Sequence, residues 1–142
     1  MRIRLGIVLA ILALAAGVGL VTAQAPSYKY FFTATDQSFE AYFDQAGMTL
    51  DKNGDKLVPV KLTRFSASFR KWIKDNFPDG ETADYAIDSY SIDCEAKTVG
   101  EHRIVWYDAG GSELTEYDFG GRLTSPIAYS MKDNLMKKVC GL

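Results

Sequence analysis

The chain holds two cysteines, and their positions limit what it can become. Cys94 lies mid-chain in DSYSIDCEAK, and Cys140 stands two residues from the end in MKDNLMKKVCGL. A terminal cysteine can serve as a nucleophile, a metal ligand, a lipid site or a structural clamp. The compartment decides among these roles. The sequence opens MRIRLGIVLAILALAAGVGLVTAQAPS. Arg2 and Arg4 form a basic start, Leu5 to Val21 is uncharged and apolar, and Val21-Thr22-Ala23 offers residues that a signal peptidase accepts. This is the layout of a secretory signal peptide over residues 1–23, with cleavage expected after Ala23. The alternative is an uncleaved anchor, for which an apolar run diluted with Ala and Gly is marginally long. No cysteine closes that run, so it does not read as a lipoprotein anchor.

Outside the cytoplasm, two cysteines most simply form one disulfide, here Cys94–Cys140. It would close a loop of about 47 residues, for which chain entropy gives roughly 4 kcal/mol. That is a large part of the ~5–15 kcal/mol that holds a typical domain together. Residues 24–142 are long enough for one domain with its own core. They carry 14 basic and 18 acidic side chains, a formal charge of about −4. Nucleic acid and anionic membrane surfaces call for a basic face, so neither is an expected partner. No stable membrane insertion is expected once the signal is removed.

The remainder reads as α+β. SYKYFFTAT and SFEAYFDQ are aromatic and β-prone, MTL begins another strand, and Asn53-Gly54 suits a tight hairpin leading into KLVPVKLTRF. Val58, Val60 and Leu62 share one face there, while Pro59 suggests an edge or irregular strand. In SASFRKWIKDNFPDG, by contrast, Phe65, Phe69, Trp72, Ile73 and Phe77 recur at helical spacing. Ser66 or Ser68 can cap this helix, near 66–77, and Pro78 and Gly80 stop it. Its aromatic stripe reads as a core face rather than a ligand platform.

DYAIDSYSIDCEAKTV returns to period two, with Tyr90, Ile92 and Cys94 on the core face of a half-buried antiparallel strand. EHRIVWYDAGGSELTEYDF gives two strands about Ala109-Gly110-Gly111, with His102, Ile104 and Trp106 alternating with Arg103, Val105 and Tyr107. Finally, Thr124 or Ser125 can cap a helix with Pro126 in its first turn. Ile127, Met131, Leu135 and Val139 recur every four residues along it, and Lys137 and Lys138 sit in its last turn, where the helix dipole favours positive charge. The expected fold is therefore an antiparallel sheet of about six strands, a C-terminal helix fastened across one face by the disulfide, and one further helix.

The strand Tyr90-x-Ile92-x-Cys94, the following WYDAGG, and the closing SPIAYSMKDNLMKKVC resemble the surface-adhesin E-like domain family. The family's features map onto Cys94, Tyr107, Asp108, Gly111, Pro126, Val139 and Cys140. The resemblance covers residues 38–142 and is best from Tyr85 onward, carried by the order and spacing of short motifs. It implies an antiparallel sheet with a C-terminal helix tied to it by a disulfide. The founding members are bacterial surface proteins that bind host matrix and plasma proteins. This implies a periplasmic, cell-surface or secreted envelope protein with a host or envelope protein as ligand. The lipid anchor of the founding type has no counterpart here, and SASFRKWIKDNF has no match in the family pattern.

Catalytic chemistry finds little in the sequence, and no catalytic residue, cofactor or metal is expected. His102 is the one histidine and reads as structural. Zinc needs more ligands than one His and two paired cysteines, and pairing removes the thiolate that a Cys nucleophile needs. In DKNGD the glycine is the fourth residue from Asp51, where a calcium loop wants it sixth, and Leu62 stands at the twelfth position in place of an acid. The Asp-Phe-Gly triplet of YDFGGR has no glycine-rich or catalytic loop to accompany it. Asp84, Asp88, Asp93 and Glu95 read as solvation on an exposed strand edge.

Two functions fit. The first is a non-enzymatic module binding a protein through an exposed edge or an aromatic patch. The second is a small-molecule-binding or hydrolytic envelope protein with its pocket between sheet and helix. A cavity above roughly 300 Å³ with convergent polar groups is the feature that separates them.

Overall fold

Period-two stretches of the sequence assemble one antiparallel sheet. The computed structural model describes residues 24–142; the expected signal peptide, residues 1–23, lies outside the described residues. The strands are β1 (Tyr28–Thr33), β2 (Glu40–Asp44), β3 (Thr49–Leu50), β4 (Lys56–Thr63), β5 (Tyr85–Asp93), β6 (Thr98–Tyr107) and β7 (Glu113–Asp118). They form a seven-stranded sheet in the order β1-β2-β4-β5-β6-β7, with the short β3 also paired to β4. The helices are α1 (Ala67–Asn76) and α2 (Met131–Cys140). Among the described residues no helix is long and apolar enough to cross a membrane.

Both glycine-bearing turns are hairpins. Asp51 turns its carboxylate to the N–H groups of Asn53 and Asp55, at 2.7 and 3.0 Å, while Gly54 takes a φ of +89°. That φ is open to glycine at little cost. Asp108 plays the same part for Ser112 between β6 and β7. Pro59 is not on an edge strand, because β4 lies between β2 and β5. On the outer side of β4, however, pairing to β2 ends at Val60 and pairing to β3 begins at Leu57. Pro59 occupies the gap, where its missing N–H removes no ladder bond.

Val58, Val60 and Leu62 pair with Tyr90, Asp88 and Ala86, and Asp88 and Ala86 pair in turn with Ile104 and Trp106. All eight are buried, and they form the floor on which both helices rest. α1 starts where Ser66 Oγ accepts the N–H of Phe69, a cap worth about 1 kcal/mol. It buries Ile73 completely, which contributes about 1.5–3 kcal/mol. Phe65, Phe69 and Phe77 join the core from the same stripe, whereas Trp72 stays half-exposed.

α2 begins a turn later than its apolar spacing suggests. Ser130, rather than Thr124 or Ser125, is its cap: Ser130 Oγ accepts the N–H of Asp133, and Asp133 Oδ2 accepts the N–H of Tyr129. This reciprocal box satisfies donors that a helix start leaves unpaired. Pro126 and Ile127 therefore lie in the preceding loop, with Ile127 largely exposed. At its other end α2 is fixed three ways. Cys140 bonds to Cys94 with 5.6 Å between the Cα atoms, Lys56 Nζ donates to the Val139 carbonyl at 2.9 Å, and Gly141 closes the helix in the left-handed conformation. Cys94 is placed for this because β5 ends at Asp93, whose carboxylate organises the turn by accepting from Glu95 and Ala96.

Candidate ligand-binding cleft

The two helices share one face of the sheet but leave its centre open. A cleft of about 690 Å³ lies there. Its floor is Leu62 of β4, Asp88 and Tyr90 of β5, and Glu101, Ile104 and Trp106 of β6. One wall is aromatic: Trp72 stacks on Phe69 with centroids 5.2 Å apart, and Phe77 stands edge-on to Trp72 at 5.6 Å and lies 5.5 Å from Trp106. The opposite wall is the 124–127 loop and the first turn of α2, with Met131 and Lys132. Phe119 and Ile127 stand exposed at the mouth.

Three features of the floor depart from an ordinary core. Asp88 is 2% exposed, and its Oδ2 accepts a short hydrogen bond from the Tyr90 hydroxyl. Its Oδ1 has no partner among the described residues. Burial, and then the negative charge of Glu101, push the Asp88 carboxyl well above the usual carboxylate range, against the weaker pull of the Tyr90 hydrogen bond and of Lys132. Burial, and then Asp88, likewise raise the Tyr90 phenol. The indole N–H of Trp106, 1% exposed, also has no partner among the described residues, and Gly80 packs so closely on this ring that a Cβ there would stand 3.1 Å from Cγ. Lastly, Lys132 Nζ reaches over the Tyr90 ring to Glu101 Oε2 at 2.6 Å, tying the start of α2 to the sheet. Most buried polar groups in folded chains find partners, so an orphaned carboxylate oxygen and an orphaned indole N–H in one cleft mark a site.

The site replaces two expectations from the sequence. Asp88 does not solvate a strand edge: it shares the buried face with Tyr90, two residues away, as the strand period requires. His102 does not share a face with Ile104 and Trp106. A bulge in β6 pairs Tyr90 with Glu101 and Ser89 with Arg103, leaving His102 unpaired between them. The extra residue shifts the register, so Glu101 takes the inward position. The His102 ring instead lies under Gly121, where a Cβ would come within 2.2 Å of it. The Asp-Phe-Gly triplet is the exit from β7. Asp118 accepts the N–H of Gly120, Gly120 and Gly121 both have positive φ, and the turn delivers Phe119 to the cleft mouth. The aromatic stripe of α1 is core on its Ile73 and Phe65 side and cleft wall on its Phe69 and Trp72 side. Cys94 and Cys140 do not line the cleft; they hold the helix that forms one wall. Among the described residues no group of three or more His, Cys, Asp or Glu side chains converges as a metal set.

No family model matches the chain, and no curated protein matches it in sequence. Among solved structures, crystal form II of protein E from Haemophilus influenzae is similar, with a TM-score of 0.52 and 12% sequence identity over 84% of this chain and 96% of that one. At that identity the likeness is one of fold. The chain has a fold similar to that of Haemophilus influenzae protein E, an antiparallel sheet carrying a C-terminal helix.

Proposed function

We propose that this protein is an exported, non-enzymatic binding module of the bacterial envelope, and that its ligand seats in the cleft between the sheet and the two helices. The observation that carries this reading is an aromatic-walled cleft of about 690 Å³ with an almost fully buried carboxyl whose second oxygen is free. Small-molecule sites combine those elements: apolar walls and a few placed polar groups. The Cys94–Cys140 disulfide and the resemblance to surface-adhesin E-like domains support export, to the periplasm, the cell surface or the medium. The chemistry supports binding over turnover. His102 lies away from the cleft, and the Glu101 carboxylate is held by the Lys132 ammonium.

The chain's two tryptophans, Trp72 and Trp106, both line the cleft. Intrinsic fluorescence therefore reports on it directly. A library of small aromatic and alicyclic fragments should quench or shift that emission and move backbone NMR signals of β5, β6 and the start of α2. Fragments that bind only at the sheet edges would overturn the reading.

A protein ligand is the second reading, favoured by Tyr28 and Tyr30 standing exposed on the edge strand β1. Such an edge offers unpaired backbone groups for strand addition beside aromatic contact area.

A further inference from the structure

We infer that the ligand of this cleft is a protonated amine carried on an apolar or aromatic body, with its ammonium group donating to Asp88 Oδ1. This rests on the cleft being the binding site, and it follows from what each polar group there already holds. Asp88 Oδ2 is taken by Tyr90, whereas Oδ1 is free. Lys132, the cation lining the cleft, is committed to Glu101 at 2.6 Å. An ammonium is the head group that turns the unpaired carboxyl into a buried, hydrogen-bonded ion pair.

Other head groups fit less well. A carboxylate or phosphate would meet Asp88 and Glu101 with no uncommitted cation. A neutral hydroxyl or amide can hydrogen-bond the carboxyl while it is protonated, but supplies no counter-charge once Asp88 ionises. A bare divalent cation needs several oxygen ligands, and the floor offers one free oxygen. The walls agree with the floor. Phe69, Trp72 and Phe77 present π systems, whose negative faces attract organic cations. The net negative charge of residues 24–142 draws cations rather than anions toward the molecule.

The charged or titratable groups facing Asp88 are Tyr90 on its own strand, Glu101 on β6 and Lys132 on α2; α1 contributes only Phe69 and Trp72 to the cleft. Burial and Glu101 push the Asp88 carboxyl well above the usual carboxylate range, so below its titration an ammonium ligand must displace a proton. Amine affinity should therefore rise with pH through the titration of Asp88, and the affinity of a neutral analogue should not.

The test compares 2-phenylethylammonium, 2-phenylethanol and phenylacetate, titrated against the full chain with tryptophan fluorescence and the indole NMR signals as readouts. The amine should bind at least about tenfold tighter than the alcohol, and phenylacetate weakest. Asp88→Asn should bring the ratio of amine to alcohol affinity near one. Lys132→Gln, which strips Glu101 of its cation, should tighten the amine further. Equal binding of amine and alcohol, a preference for phenylacetate, a ratio that survives Asp88→Asn, or weaker amine binding in Lys132→Gln would each overturn the inference while leaving the cleft a binding site. If none of the three probes perturbs either tryptophan, both the inference and the proposed function fall.

Discussion

Asp88 and Asp133 are both nearly buried, at 2% and 6% exposure, and their surroundings are opposite. Asp133 accepts the Tyr129 N–H at 2.8 Å and the Lys137 ammonium at 2.9 Å, and so closes the first turn of α2. The Lys137 hydrogen bond, and then that of Tyr129, hold its carboxyl below the usual range. Asp88 has one hydroxyl donor, a like charge nearby and a free oxygen, and its carboxyl is pushed up. A paired aspartate builds the fold. An unpaired one costs stability, and chains keep such groups where binding needs them. The same contrast separates the two regions. The end of α2 is tied by a disulfide, a lysine and a helix cap, while the cleft floor leaves Asp88 Oδ1 and the Trp106 indole N–H buried and unpartnered among the described residues.

The largest effect should come from cutting the tied region. Cys94→Ala with Cys140→Ala should cost about 3–4 kcal/mol in thermal or denaturant unfolding, with α2 fraying from its C-terminal end. Fragment binding in the cleft, measured below the melting transition, should survive. Its loss with the sheet intact would erase the distinction between the two regions.

Next come the aspartates, with opposite signs. A carboxyl raised on folding stabilises at low pH, and that contribution is lost as pH rises through its folded titration. Asp88→Asn should therefore raise the melting temperature at neutral pH. The gain should grow by about 1.4 kcal/mol per pH unit above the ordinary carboxyl range, until Asp88 itself ionises, and vanish in acid. A carboxyl lowered on folding stabilises above its ordinary titration, and that contribution is lost as pH falls. Asp133→Asn should thus lower the melting temperature at neutral pH by a few degrees, and the deficit should close in acid. Paired melts from acid to neutral pH check both, and parallel pH profiles would break the comparison.

The smallest effect belongs to Lys56→Met, which removes the hydrogen bond to the Val139 carbonyl. It should cost about 1 kcal/mol, read by urea unfolding, and leave the pH profile of Asp88→Asn as it was.

The sheet, the two helices and the pairing of Cys94 with Cys140 were legible because each rests on periodicity or on counting. Tyr90, Ile92 and Cys94 declare an inward face, and Met131, Leu135 and Val139 declare a helix. Four things were harder to read. The start of α2 turned on whether Ser130 or Thr124 would cap, and the decision came from Asp133 reaching back to Tyr129. Asp88 sat in the open, since the same alternation that turned Tyr90 inward also turned Asp88 inward. Its acidic character argued for the surface, and the fold overruled it. The exchange of His102 for Glu101 came from a β6 bulge that local sequence does not mark. The cleft itself depends on how far apart the helices stand and where the 119–127 segment runs, and those are long-range packing outcomes.

Asp88, a buried carboxyl with one oxygen unpartnered among the described residues, is the proposed seat of a cationic ligand. Carboxyl-carbon NMR of Asp88 in the full chain, titrated with pH alone and then with saturating 2-phenylethylammonium, tests it most directly. Asp88 should remain protonated well past the usual carboxylate range, and should ionise at lower pH when the amine is added. A titration in the ordinary range, unmoved by the amine, would contradict it.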